Sequence, residues 1–282
     1  MQNWTIDEPQ NLDFSLADGV RALDIRLYAG RLSVVGTDGP ARVEISKTAT
    51  TPIHVELDDG VLRIRNEQLT KWPGILEPLW WMIHGGRRFA ADVSIAVPYE
   101  TACTLWLASG SLVVSTVHAD VSAECVSGRM TLLGVAGRIR GKVVSGPIEA
   151  LGCAGDLTLD TVSGEITLAD SAASRLTVKT VSGSVTADLD NPPNDSQIEL
   201  ETVSGEITIR VRADSDLQVR MNAAHGRVTS DFAGLSTEGK WGKSVNGTLG
   251  TGVGRLTARA IGGNIALLRR PVDDDFAETD AA

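Results

Sequence analysis

The sequence has 282 residues, of which 29 are glycine and only 4% are aromatic, and its formal net charge is −10 at neutral pH. This composition favours strands and tight turns over helices. The negative charge argues against a nucleic-acid-binding protein, which needs a basic stripe that displaces counterions from phosphates. The three cysteines have no C-x-x-C spacing, so a disulfide framework is not expected.

The N-terminal segment, residues 1–19, contains Trp4, Ile6, Leu12 and Phe14. We predict that it forms an N-terminal cap, because the open end of a β-stack otherwise offers unpaired backbone groups to further chains. The segment lacks a basic start followed by an apolar run, so no secretion signal is expected. No apolar stretch reaches the ~20 residues that a membrane-spanning helix needs, and the protein is predicted to be cytoplasmic.

A short motif that ends in glycine recurs along the chain. The Val-Ser-Gly copies end at Gly128, Gly146, Gly164, Gly183 and Gly205. Looser copies contain Gly30, Gly60, Gly110, Gly226, Gly247 and Gly263 at the equivalent position. These copies give about eleven candidate rungs, spaced by 18–22 residues in the regular part. The Gly247 copy fits poorly, since Lys240 and Gly242 fall on inward positions, and we expect that rung to be slipped or looped out.

Alignment on the glycine shows an alternating pattern of apolar and polar residues on both sides of it. The apolar positions lie seven and five residues before the glycine and two and four after it; around Gly164 they are Leu157, Leu159, Ile166 and Leu168. A period of two places these side chains inward in two short strands. The Val162 column, two residues before the glycine, is also expected to be inward. Ser-Gly then forms a corner, since glycine adopts positive φ and serine bonds nearby backbone.

One rung has too little apolar surface to fold alone, but stacked rungs bury continuous ladders and satisfy one another's backbone hydrogen bonds. The predicted fold is therefore all-β: a single-domain parallel β-solenoid over residues 1–270. The structural alternative is an up-and-down barrel, whose antiparallel hairpins do not require like positions to match in every rung. Residues 271–282 are predicted to be a disordered acidic tail.

An insertion at residues 66–90 interrupts the repeat and carries three of the six tryptophans. We expect it to fold back over the first rungs and to dock near Trp106, which lies on an outward position. The alternatives are a surface for self-association or a protein partner, and, less favoured, a membrane-docking surface. The residues predicted to form such a surface are Trp72, Leu79, Trp80, Trp81, Met82, Arg87, Arg88 and Trp106.

Four residues before the glycine, an outward column alternates in charge. Its members are Glu124, Lys142, Asp160, Lys179 and Glu201. Neighbouring rungs of a parallel stack lie ~4.8 Å apart, so we interpret this column as a source of solubility and register. A binding stripe is the less favoured reading.

No group of residues has the spacing of a metal or catalytic site. The four histidines fall at unrelated repeat positions, and the cysteines are expected to be buried free thiols. The acidic loop 188–195 lacks the known calcium-loop patterns and is interpreted as a polar extension of one rung. A glycosidase on this fold would need converging carboxylates, which the alternating charges do not provide.

Longer stretches carry a family resemblance. Gly30–Val34, the strand Val93–Pro98, the closing Gly263–Leu267 and the repeated V-S-G-x-[IV]-T resemble the bacterial adhesin-like β-strand-repeat domain of unknown function. The resemblance covers roughly residues 10–270 and implies a right-handed β-helix-like fold without known catalytic residues. Some relatives are linked to envelope-stress signalling in Gram-positive bacteria. The bias toward Ala, Arg, Gly and Val resembles that of a high-GC actinobacterium.

The sequence thus predicts a non-enzymatic β-solenoid scaffold or binding module without a cofactor or metal. One alternative is a structural protein that polymerises end to end, and a second is a carbohydrate-active β-helix enzyme.

Overall fold

The computed structural model describes residues 1–15, 19–47, 52–66, 90–190, 195–238 and 242–271. All regular secondary structure in these ranges is β-strand. None of these ranges contains a helix that is long and apolar enough to cross a membrane. The acidic tail and nearly all of the insertion lie outside the described residues.

Twenty-two strands are formed by the described residues. The N-terminal third of the chain contributes β1 (Gln2–Ile6), β2 (Gln10–Asp13), β3 (Ala22–Thr37), β4 (Arg42–Lys47), β5 (Ile53–Asp58), β6 (Val61–Asn66) and β7 (Ala90–Pro98). The middle contributes β8 (Ala102–Ser115), β9 (Val121–Leu133), β10 (Ala136–Ser145), β11 (Ile148–Leu151), β12 (Ala154–Ser163), β13 (Ile166–Ser182), β14 (Val185–Leu189), β15 (Gln197–Ser204) and β16 (Ile207–Arg212). The last part contributes β17 (Leu217–Ala223), β18 (Val228–Ser230), β19 (Ser236–Glu238), β20 (Ser244–Leu249), β21 (Gly254–Gly262) and β22 (Ile265–Arg270).

Each regular rung has two arms that meet at a corner glycine. The first arm precedes the glycine and the second arm follows it; β3, β8 and β9 run through the corner and supply both arms. From β3 through β8, β9, β10, β12, β13 and β15, the first arms pair in parallel, and in register apart from one shift between Gly155 and Asp156 of β12. The second arms pair in parallel over the same rungs. The architecture is therefore a β-solenoid, and the antiparallel hairpin ladder of an up-and-down barrel is excluded for these strands.

The core fills the space between the two arms. Leu157, Leu159, Ile166 and Leu168 of the Gly164 rung are each at most 1% exposed, and the equivalent residues of the other regular rungs are also buried. These four inward columns were correctly predicted from the period of two, because adjacent rungs place identical positions on top of one another.

The rungs do not stack in sequence order at the C-terminal end of the fold. β21 pairs in parallel with β15 on one side and with β17 on the other. In the second arm, β22 likewise lies between β16 and β18. The chain thus places its last two strands inside the stack, between two rungs that precede them in sequence.

Two of the predicted rungs are antiparallel hairpin elements. β5 and β6 form a hairpin whose turn residues, Asp59 and Gly60, both have positive φ. β20, which contains Gly247, runs antiparallel to β17 and β19. The predicted count of eleven rungs therefore included two glycines that do not form solenoid corners, and the expected irregularity at Gly247 is an antiparallel strand.

The prediction that the Val162 column points inward was wrong. Val162 is 47% exposed, whereas Thr161 immediately before it is only 4% exposed. The chain turns at the corner, so two consecutive residues, Val162 and Ser163, both face outward before the glycine. At a corner, therefore, the apolar character of valine does not by itself indicate burial.

The corner glycines form one continuous column because neighbouring rungs approach there without space for a side chain. An added Cβ would lie only 1.8–2.0 Å from a carbonyl oxygen one rung away, which belongs to Ala91 for Gly30 and to another column glycine for the rest. The column runs through Gly30, Gly110, Gly128, Gly146, Gly164, Gly183, Gly205, Gly263 and Gly226. Close approach between rungs thus requires glycine throughout this column, and six of the nine glycines also have positive φ.

A second corner, which was not predicted from the sequence, lies six residues after the corner glycine of four successive rungs. Thr116, Gly134, Gly152 and Asp170 occupy it in successive rungs, and all four have φ between 48° and 61°. The backbone N–H of Thr116, Gly134 and Gly152 donates to the next rung, for example from Gly134 to the carbonyl of Leu151 at 2.8 Å. Glycine occupies only two of the four positions, so the signal in the sequence was incomplete.

Antiparallel strands occupy the N-terminal end of the stack. β1 pairs with β5, and β2 pairs with β4. Ile6, Leu12 and Phe14 are buried, and the Trp4 ring meets the Phe14 ring edge-on at a centroid distance of 5.6 Å. The first residues therefore add strands and apolar side chains to the end of the fold.

Replacement of a column glycine should destabilise the fold far more than replacement of a turn glycine. In Gly164→Ala the new methyl group would overlap the Gly146 carbonyl, so the two rungs must separate. We expect a loss of more than about 2 kcal/mol in the free energy of unfolding, measured in urea. Gly234→Ala is the matched control, since no atom lies within 4 Å of its added Cβ. Equal midpoints for the two variants would contradict the packing assigned to the column.

Aspartate should be tolerated at position 162 but not at position 166. Ile166 is fully buried and Val162 is about half exposed, so only Ile166→Asp places a carboxyl group in the apolar core. We expect Ile166→Asp to cost more than about 3 kcal/mol and Val162→Asp less than about 1 kcal/mol. Thermal unfolding followed by circular dichroism measures both. Similar melting temperatures for the two proteins would refute the assignment of these columns.

Candidate functional site

An apolar column lies exposed along the outer surface of the first arm. It consists of the residues two before the corner glycine, which are 42–53% exposed: Val126, Val144, Val162, Val181, Val203 and Ile261. Because the rungs are in register at ~4.8 Å spacing, the six β-branched side chains form a continuous strip about 24 Å long. Single exposed apolar residues are ordinary, but an uninterrupted strip of this length is typical of a contact surface.

The column is bounded by small residues at both ends. In the neighbouring rungs the equivalent positions are Ala108 in β8 and Ala224 after β17. The exposed strip therefore covers six consecutive rungs, those of β9, β10, β12, β13, β15 and β21.

The charged column beside it covers the same six rungs. Because β21 stacks on β15, Arg259 follows Glu201 and extends the predicted alternation by one further charge. Lys179 Nζ lies 3.3 Å from Glu201 Oε2, and Arg259 Nη1 lies 3.0 Å from Glu201 Oε1. Partial burial raises the pKa of Glu201, but hydrogen bonds from Arg259 and Lys179 outweigh it and hold the pKa below its usual value. The column ends at Trp106 on one side and at Asn222 on the other.

Two shallow grooves follow these columns. One, with a volume of about 650 Å³, runs beside the exposed valines from Lys142 to Ile261. The other, of about 710 Å³, lies farther from the corner and is lined by Arg175, Arg220 and Arg255 among others. Together they give the outer surface of the first arm an apolar strip, an alternating charged column and a more basic margin. We refer to this outer surface, over the six rungs, as the ladder face.

Some cations of this surface have no ion-pair partner in the described part of the chain. Arg140 lies between Ser122 and Thr158, and Arg255 has glutamine neighbours on both sides. Neither arginine forms a salt bridge with another described residue. These two guanidinium groups are free to meet an external anion.

The predicted interaction residues lie mostly beyond what the structure describes. Trp72, Leu79, Trp80, Trp81, Met82, Arg87 and Arg88 fall in the ranges outside the described residues. Trp106 is described: it is partly exposed on the outward side of β8, between Arg26 and Glu124.

The two ends of the insertion can be placed. β6 and β7 are the two arms of one rung, which stacks on β3. The Asn66 side-chain oxygen accepts a hydrogen bond from the Tyr28 N–H at 3.2 Å, and Ala90 lies beside Ala29. The chain therefore leaves the solenoid at the same corner as the exposed column, two rungs beyond Ala108.

The other candidate reactive residues, the cysteines and Asp188, are buried or engaged in structural contacts. The three cysteines are buried and free, and burial raises the pKa of Cys103 to about 12, so its thiol is a poor nucleophile at neutral pH. Asp188, at the start of the acidic loop, pairs with Arg210 and also lies 3.5 Å from Arg270. Its hydrogen bond with Arg210 holds the pKa of Asp188 below the usual value. No cluster of potential metal ligands occurs among the described residues.

Comparison with known proteins identifies the family to which this architecture belongs. The sequence profile of the Toastrack DUF4097 family matches residues 10–268. The chain belongs to the Toastrack DUF4097 family. No curated protein gave a match. A crystal structure from Clostridium sporogenes ATCC 15579, named a "putative cell adhesion protein", is similar over 93% of this Toastrack chain and 100% of its own, with 14% identity and a TM-score of 0.29.

Reversal of the two lysines should weaken the Toastrack solenoid in a salt-dependent manner. Lys142→Glu with Lys179→Glu places like charges on the five successive rungs from Glu124 to Glu201. We expect a loss of about 1–2 kcal/mol at low salt that shrinks as salt screens the repulsion, measured by urea unfolding of dilute protein.

The matched control is Arg140→Glu with Arg255→Glu. It makes the same change in net charge, but the neighbours of both residues are uncharged. We expect it to cost less than half as much. A loss that is equal in the two double variants, or that persists at high salt, would show that neighbouring charges on the column do not set its stability.

Proposed function

We propose that the protein is a non-enzymatic β-solenoid binding module whose contact site is the ladder face. The observation that carries this proposal is the strip of six half-exposed valine and isoleucine side chains along one edge of a rigid stack. Membership of the Toastrack family supports the module, and the geometry of the outer surface supports the site.

The physical basis is the unused hydrophobic surface of the strip. Covering the exposed half of each β-branched side chain would contribute about 1 kcal/mol per rung. The side chains are short and stiff, so little conformational entropy is lost when they are covered. The charges alongside would give orientation and specificity to such a contact more than affinity.

A carbohydrate-active enzyme is less well supported by this surface. A glycosidase needs two carboxyl groups placed across a scissile bond, one of them with a raised pKa. On the ladder face, Glu201 has a lowered pKa and is bonded to Lys179 and Arg259. A carboxylate held in this way is a poor proton donor.

End-to-end polymerisation is also less well supported. The N-terminal end of the stack carries the antiparallel strands β1 and β2, with Ile6, Leu12 and Phe14 packed beneath them. Growth by parallel addition of another solenoid would have to displace or extend this antiparallel end.

We infer a second contact element in the insertion, residues 72–88, which would bind a protein partner or a second copy. Its tryptophans and arginines are common interface anchors, and Asn66 and Ala90, at the two ends of the longer insertion, lie at the corner that carries the exposed column. A membrane surface is the less favoured partner. We further propose a cytoplasmic location, a high-GC actinobacterial source and a role in envelope-related or stress-linked processes.

Site-specific photo-cross-linking tests the proposal directly. A photoreactive amino acid placed at Val162 should give protein adducts in cells that express the chain. Leu151 provides the control position, because it is similarly exposed, 43% against 47%, but lies on the second arm. The same probe at Trp80 tests the insertion. Adducts at position 151 that equal those at 162, or none at 162, would remove the ladder face as the contact site.

A further inference from the structure

Nothing in the sequence directly reveals the symmetry of the charges on the ladder face, because the order of stacking is not the order of the chain. Along the six rungs the column beside the valines reads, in stacking order, negative, positive, negative, positive, negative, positive, from Glu124 to Arg259. When an alternating series with an even number of members is reversed, every charge lies opposite its complement.

We propose that the ladder face binds a second copy of this chain, with the two stacks running in opposite directions about a two-fold axis. This inference rests on the proposed contact site and names its partner. The axis would lie parallel to the strands, midway between β12 and β13. Such an isologous interface requires a self-complementary surface, in which one residue meets a second and the second meets the first.

The charged column satisfies this requirement at every rung. Asp160 of one copy would meet Lys179 of the other at the axis, Lys142 would meet Glu201, and Glu124 would meet Arg259. The intrachain pairs of Glu201 run along the column, so each carboxylate keeps lone pairs for a partner across the interface.

The apolar column satisfies it as well. The same two-fold axis brings Val162 against Val181, Val144 against Val203, and Val126 against Ile261. Both columns start at the β9 rung and end at the β21 rung, and in the next rung beyond each end an alanine replaces the large apolar residue. The apolar contact and the charge complementarity therefore have the same length and the same centre.

The two arginines without partners provide an independent indication. They lie outside the alternating column, so their surroundings do not follow from its pattern. In the reversed pairing, Arg140 would meet Glu199, since both lie six residues before their corner glycines. Arg255 would meet Asp120, since both lie eight residues before theirs. No pair of like charges faces across the axis at these positions.

The opposite arrangement of two copies is disfavoured by the same residues. If the stacks ran in the same direction about a two-fold axis along the charged column, each rung would face its own copy, and Lys142, Asp160 and Lys179 would each meet an identical charge. Juxtaposed like charges suppress a wrong pairing. The pattern thus selects one direction.

The size of the face sets the expected strength of the dimer. Six rungs at ~4.8 Å and about 20 Å of strand give a patch of roughly 480 Å² per copy, below the ~800 Å² of a standard interface. We therefore expect a reversible dimer that dissociates on dilution.

Analytical ultracentrifugation of the full chain over a wide concentration range tests the proposal. The wild-type protein should form a dimer, and Asp160→Lys and Lys179→Glu should each weaken it by roughly tenfold or more, because like charges then face across the axis twice. An equimolar mixture of these two variants should form a heterodimer near wild-type strength, since both central pairs are again opposite. Thermal unfolding of each variant checks that the protomers are folded.

A second mixture tests the register. Asp160→Lys mixed with Lys142→Glu leaves two like-charge pairs across the axis, so it should not restore the dimer. A wild-type chain that stays monomeric, single variants that dimerise like wild type, or equal rescue by both mixtures would overturn the proposal. Adducts of Val162 with a different protein, together with a monomeric purified chain, would retain the ladder face as a contact site and reject self-pairing.

Discussion

The structure depends on the close approach of successive rungs at the corner glycines. At this corner the backbone of one rung lies against the carbonyl group of the next, without space for a Cβ atom. The backbone hydrogen bonds continue through the turn, for example from the Gly164 N–H to the Ser182 carbonyl at 3.1 Å. Because rungs stay paired even where the chain changes direction, both arms keep one register beside the corner, and the positions there form straight columns. The register shifts only farther away, between Gly155 and Asp156 in the first arm and between Leu168 and Ser171 in the second.

Because of this register, equivalent residues of successive rungs lie side by side. Apolar residues at an inward position form a buried ladder, and apolar residues at an outward position form an exposed strip. The strip arises because the turn at the corner leaves two consecutive residues, such as Val162 and Ser163, on the outside. The proposed contact surface needs no loop and no induced fit, since the solenoid already holds each side chain at the spacing of its neighbours.

Much of the core could be predicted from the sequence, because alternation with a period of two is decisive within a strand. It is not decisive at a corner, where apolar Val162 proved to be exposed. Glycine alone also does not identify a corner: Asp59-Gly60 has the composition of a tight hairpin turn, and the structure uses it as one.

The stacking order around β21 could not be predicted from the sequence, since the inward residues of all rungs are alike and any of them could stack on β15. For the same reason Arg259 was not recognised as the last member of the charged column. The predicted contact residues, except Trp106, lie outside the described ranges.

The position of β21 and β22 has a consequence for biosynthesis. A linear repeat protein can grow rung by rung as it emerges from the ribosome, because each new repeat docks on the one before it. Here β17 and β18 are made before the strands that join them to the rest of the stack. Until residues 254–270 have emerged, β15 and β16 present an open edge, and β17 and β18 lack their parallel partners β21 and β22. The stack is therefore complete only when β21 pairs between β15 and β17 and β22 pairs between β16 and β18.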